Sequence, residues 1–108
     1  MAHIVMPPKS PISFTTVLVL QALAQGYKFG FDIMNVTGLP SGTIYPSLRR
    51  LESLRLVASD WEKDQQARKE GRPRRRYYEL TKTGKQHLKD TEARVQTIGR
   101  LLPNRRAT

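Results

Sequence analysis

Ser41-Gly42-Thr43-Ile44-Tyr45-Pro46-Ser47-Leu48-Arg49-Arg50-Leu51-Glu52 is the stretch on which the fold of this 108-residue chain turns. Ile44, Leu48 and Leu51 recur at helical spacing and form an apolar stripe. Thr43, Tyr45, Pro46, Arg49, Arg50 and Ser53 stand on the opposite face. Ser41, just after Pro40, is an N-cap candidate and Thr43 a second one. Proline is comfortable only in the first turn of a helix, so Pro46 places the start between Ser41 and Tyr45. A short amphipathic helix with a cationic outer face suits the major groove of duplex DNA.

Upstream, the run Phe14, Val17, Leu18, Val19, Leu20, Ala22, Leu23, Ala24 is apolar almost all round. A helix of that kind, over Ser13 to Gln25, is buried on several sides at the centre of a small domain, and Gly26 stops it. A shorter helix fits Gly30 to Thr37, with Phe29, Ile33, Met34 and Val36 facing inward, and Gly38-Leu39-Pro40 breaks it. Residues 1–12, with Pro7, Pro8 and Pro11, read as a flexible arm.

Downstream, Leu56 to Lys63 and Arg74 to Leu80 are strand candidates joined by a polar loop with Gly71 and Pro73. A last helix starts near Gly84 and runs to about Leu102, before Pro103. Leu88, Val95 and Leu102 are seven apart in it, with Thr91 and Ile98 between, a narrow seam suited to pairing with another helix. The expected architecture is mainly α (α+β), a winged helix-turn-helix in the order ααα-ββ-α. It divides into a DNA-binding unit over 13–80, a C-terminal dimerisation helix over 81–102 and a tail at 103–108.

Charge narrows the partner class. Nineteen basic and nine acidic residues give +10, which favours a polyanion. Arg68, Lys69, Arg72, Arg74, Arg75 and Arg76 against Glu70 alone put +5 into residues 67–76. In a two-stranded wing Arg74 and Arg76 share one face, Arg75 and Tyr77 the other, so Arg72, Arg74, Arg75 and Arg76 are candidates for backbone or minor-groove contact. Thr43, Tyr45, Arg49 and Arg50 are candidates for the major groove. The plainer alternatives are a solvated helix face and a solubilising loop.

Other features carry less. Trp61, the only tryptophan, reads as packing under the wing, and Tyr77 and Tyr78 as structural. Asp60, Glu62 and Asp64 alternate along a strand end and read as solvent-facing rather than as a cation site. His3 and His87 are isolated, and no catalytic constellation, metal set or cofactor motif can be assembled, so no enzyme is expected. Zero cysteines, no secretory leader pattern and no apolar run near 20 residues fit a cytoplasmic protein.

Gly42-Thr43-Ile44-Tyr45-Pro46-Ser47-Leu48-Arg49-Arg50-Leu51-Glu52, Leu56-Val57, Trp61-Glu62, Gly71-Arg72-Pro73-Arg74-Arg75-Arg76-Tyr77-Tyr78 and Leu80-Thr81 before Gly84 together resemble the PadR-type transcriptional regulators. The likeness runs from about Gly26 to Leu88. It implies a winged-helix repressor, a homodimer through the C-terminal helix by Leu88, Val95, Ile98 and Leu102, and a two-fold symmetric operator in double-stranded DNA. It also implies release by a small hydrophobic or aromatic effector, which with a single C-terminal helix must use the dimer interface. Arg55 stands where the family usually has Gly, and Phe29-Gly30-Phe31 where it has His-Gly-Tyr. Two rival readings are a winged-helix adaptor pairing through the last helix and a sequence-indifferent nucleic-acid binder.

Overall fold

In the computed structural model, which describes residues 13–101 and the side chains of 13–96, the chain runs α1 (Phe14–Ala24), α2 (Gly30–Thr37), α3 (Ser41–Ser53), β1 (Val57–Trp61), α4 (Asp64–Lys69), β2 (Arg76–Leu80) and α5 (Lys82–Leu101). The arm at 1–12 and the tail at 103–108 lie outside the described residues. The fold is a winged helix with the expected ααα-ββ-α order and one short helix, α4, added between the strands. Both strands are shorter than the sequence predicts. Lys63 already sits at the N-cap of α4, and pairing stops at Trp61↔Arg76.

Helix α1 is central because it is apolar on most sides. Val19, Leu20, Ala22 and Leu23 are buried, and the helix touches α2, α3, α5 and β2. Ser13 caps it, accepting the Thr16 N–H at 3.1 Å. In α3, Ile44, Leu48 and Leu51 point into the same core, each burial worth on the order of 1.5–3 kcal/mol. Val36 departs from the expected pattern. It lies at the exposed end of α2, while Ile33 alone of that helix's large side chains is fully buried.

The start of α3 also differs from expectation. Pro40 occupies the N-cap with no side-chain cap bond, and Ser41 is the first helical residue. Pro46 therefore sits in the second turn, where its missing N–H removes one bond of the ladder. The neighbouring Ser47 hydroxyl donates to the Thr43 carbonyl at 2.8 Å.

The end of α3 is sharper. Arg55 has φ 61°, and the Arg55 and Leu56 N–H groups donate to the Glu52 and Leu51 carbonyls at 2.9 and 3.0 Å. That is a Schellman turn, and Leu51 and Leu56 both lie in the hydrophobic core, as often accompanies the motif. The reversal drops the chain into β1, which pairs antiparallel with β2 from Val57↔Leu80 to Trp61↔Arg76. Residues 28–29 add a short third rung through the Phe29↔Tyr77 bridge and the Tyr78 N–H to Lys28 carbonyl bond of 2.8 Å.

Helix α5 is clasped to the same turn. The Thr81 hydroxyl accepts the Gly84 N–H at 3.0 Å and donates to the Arg55 carbonyl at 2.7 Å. Gly84 packs directly on the Leu56 carbonyl, where any Cβ would collide with backbone. Thermal unfolding separates the two strained positions. Gly84→Ala is expected to destabilise by about 1–3 kcal/mol. Arg55→Gly is expected to stabilise by about 1 kcal/mol, because it relieves a left-handed side chain.

Candidate nucleic-acid interface

Burial of Ile44, Leu48 and Leu51 forces the remaining side chains of α3 outward. Ser41, Tyr45, Pro46, Arg49 and Arg50 are exposed and Thr43 half-buried, all along one helix. Arg49 and Arg50 make no ion pair among the described residues, so both guanidinium groups are open to an external acceptor. Tyr45 is braced: its ring lies over Gly30, where a Cβ would come within 2.5 Å of the ring and hydroxyl. Gly30 therefore lets the start of α2 support the outer face of α3.

The sheet lies alongside α3. Arg76 donates to the Ser59 hydroxyl at 2.7 and 3.0 Å and reaches the Glu52 carboxylate of α3 at 3.5 Å. Tyr78 is buried between them. Burial pushes its phenol up, while Arg76 and, more weakly, Arg49 pull it down. Through Glu52, Arg76 of β2 thus reaches the flank of α3.

Beyond the strands the wing is organised by Glu62. The sequence places this residue among solvent-facing acids, but it is only 8% exposed. Its carboxylate accepts from both terminal nitrogens of Arg72, at 2.5 and 2.9 Å. It also accepts the Arg75 backbone N–H at 2.9 Å and the Arg75 Nε at 3.3 Å. Its carbonyl accepts Arg74 Nε at 2.6 Å. Arg72 continues to Glu70 at 2.7 Å, and Arg75 lies over the Phe29 ring at 3.8 Å. Arg75 and Arg76 leave the sheet on opposite sides, as strand alternation demands. Trp61 is not packed in the core. It is 48% exposed, with the Arg76 guanidinium 5.7 Å from its ring centre.

Of the four wing arginines named from the sequence, Arg72, Arg74 and Arg75 gather on Glu62 while Arg76 turns to Ser59 and Glu52, and all four have partners inside the protein. Arg72 is the most enclosed, with a side chain 22% exposed. Asp60, Glu62 and Asp64 do not converge, and no group of three metal-ligating side chains occurs among the described residues.

Comparison with known proteins identifies the arrangement. The model of the PadR-like transcriptional regulator family matches residues 19–90, two thirds of the chain. The chain belongs to this family. Among solved structures, a PadR family transcription regulator from Clostridium difficile R20291 is 26% identical with a TM-score of 0.72, the match covering 82% of this chain and 94% of that one. A PadR family transcriptional regulator from Eggerthella lenta is 28% identical with a TM-score of 0.61, over 76% and 74% of the two chains. A PadR-like regulator from Bacillus cereus, 21% identical over 82% and 91% with a TM-score of 0.62, shares the fold. A search of functionally curated proteins finds no match. PadR-like proteins are DNA-binding transcriptional regulators and not enzymes.

In this PadR-like chain the seam of α5 divides. Leu88 is buried in the core of the winged helix itself and Thr91 is enclosed, its hydroxyl donating to the His87 carbonyl at 2.8 Å. Val95 is 58% exposed. The Ile98 side chain and Leu102 lie outside the described residues. An open cleft of about 390 Å³ sits between α1, the end of α2 and α5, lined by Leu18, Tyr27, Val36, Leu88 and Glu92. Among the described residues no helix is long and apolar enough to cross a membrane.

Acid reads the wing cluster directly. The Arg72 hydrogen bonds, seconded by those from Arg75, hold the Glu62 carboxyl down at about 2 from its ordinary 4.5, against the opposing pull of burial. A lowered carboxylate stabilises the fold fully above about 4.5 and loses that contribution as pH falls toward 2. The thermal midpoint should therefore fall across that window. Glu62→Gln should lower the midpoint at neutral pH by about 5–10 °C and flatten the acid limb in a calorimetric pH series.

Proposed function

We propose that this PadR-like protein is a cytoplasmic repressor that binds a palindromic operator as a homodimer. The observation that carries the reading is the outer face of α3, where Arg49 and Arg50 are exposed and unpaired beside a braced Tyr45. In this reading Ser41, Thr43, Tyr45, Pro46, Arg49 and Arg50 enter the major groove. The wing with Arg72, Arg74, Arg75 and Arg76 lies along the adjacent backbone or minor groove. Two protomers joined through Val95 and Ile98 of α5 and Leu102 after it in sequence present half-sites about one helical turn (~34 Å) apart.

The proposal includes a small hydrophobic or aromatic effector acting where the protomers meet. The cleft bordered by Leu18, Tyr27 and Val36 beside α5 supports it. Sequestering the effector there would bias the angle between the two α3 helices.

Selection of random duplexes by the purified protein at about 0.15 M salt, followed by sequencing, tests the reading. A palindrome with matched half-sites is expected; retention without enrichment would make the protein a sequence-indifferent binder. On the selected site, Arg49→Ala or Arg50→Ala should cost about 1–3 kcal/mol and relax preference at one base pair. Val95→Asp should raise the dimer dissociation constant in sedimentation and weaken the palindrome more than an isolated half-site.

A further inference from the structure

The arginines of the wing motif and the unpaired cations beside it are different sets. Arg72 gives its Nε to Glu70 and both terminal nitrogens to Glu62. Arg75 commits its backbone N–H and guanidinium to Glu62 and its flat face to Phe29. Arg74 donates to the Glu62 carbonyl and faces Asp64 at 3.5 Å. The acid of α4 and the one at its C-cap are thereby used, Asp64 by Arg74 and Glu70 by Arg72. Lys63, Arg68 and Lys69, on and beside α4, are exposed and have no carboxylate partner among the described residues.

The helix that carries them buries one side chain and is closed at its C-terminal end. Ala67 is its buried side chain, and Lys69 projects close to the opposite direction on a 100° helical wheel. The Arg72 N–H closes onto the Ala67 carbonyl at 3.1 Å, and the Gly71 N–H onto the Arg68 carbonyl at 3.1 Å. The arginine that Glu62 grips is therefore the one that seals the C-terminal end of α4. A guanidinium already held by a carboxylate exchanges one charge-assisted bond for another when it takes a phosphate. A free cation gains the whole bond and releases a condensed counterion from the duplex.

We propose that Arg68 and Lys69, with Lys63, are the phosphate-binding residues of the wing, and that Glu62 is a positioning residue that holds α4 against the DNA backbone. This rests on the reading of the protein as a duplex-DNA binder. The wing then includes α4, and the Arg72-to-Arg75 segment is its scaffold.

The test is the salt dependence of binding of the full chain to a fluorescent 30-base-pair duplex, from about 0.05 to 0.3 M salt. Arg68→Gln/Lys69→Gln, on an exposed helix face, is expected to keep the wild-type melting temperature. It should bind on the order of tenfold more weakly and lower the slope of log K against log salt by about 2. Arg72→Lys should lower the melting temperature and leave the slope within about 0.5 of wild type. Glu62→Gln supplies the second readout. Loss of an acid by itself would tighten binding, whereas loss of positioning weakens it. A double variant with the wild-type slope, or a Glu62→Gln protein that binds more tightly with a steeper slope, overturns the proposal while leaving the DNA-binding reading intact. A wild-type protein with no salt-sensitive duplex binding overturns both.

Discussion

A nearly buried carboxylate between two guanidinium groups is the constraint on which the wing depends. Four arginines within residues 72–76 repel one another, and no apolar packing in so short a segment could offset that repulsion. Glu62 supplies the opposing charge from just past the end of β1, and its carbonyl takes Arg74 as well. The ion pair also fixes direction. With Arg75 drawn to Glu62 and Phe29, Arg76 must leave on the other side, toward Ser59, Glu52 and the flank of α3. One acid thus sets the orientation of the wing to the second and third helices at once.

The rest of the molecule supports α3 by close approach. Tyr45 rests on a residue without a side chain, Gly30, and the turn after α3 is held between the Leu51–Leu56 contact and the first turn of α5. Thr81 and Gly84 look like incidental helix-start residues, yet each meets backbone of that turn: Thr81 the Arg55 carbonyl, Gly84 that of Leu56. Arg49 and Arg50 therefore stand about one helical turn from the joint between the winged helix and α5.

The helices could be read from the sequence because each has a period and a breaker. Ile44, Leu48 and Leu51 mark the core face of α3, the all-round apolar run marks α1, and Gly38 with Pro40 closes α2. Helix α4 left no such mark. Its six residues bury Ala67 alone, so the surrounding charge run reads as a loop. Glu62 was hidden by its neighbours Asp60 and Asp64, since strand alternation says nothing about a partner ten residues away that folds back over it. Val36 and Trp61 were assigned to packing because they are large and apolar, whereas the end of a helix and the end of a hairpin leave both exposed. Leu88 fits a heptad as well as it fits the core, and only the position of α1 decides that it is used within the protomer.

Nitrogen-edited NMR of the arginine side chains, with and without a duplex, addresses the sorting of these cations most directly. Arg72 Nε–H, held by Glu70 and enclosed with Glu62, should be slow to exchange in the free protein and nearly unmoved by DNA. Arg49, Arg50 and Arg68 should exchange rapidly when free and shift on binding. An Arg72 resonance that exchanges as fast as that of Arg49, or shifts as far on adding DNA, would contradict the account.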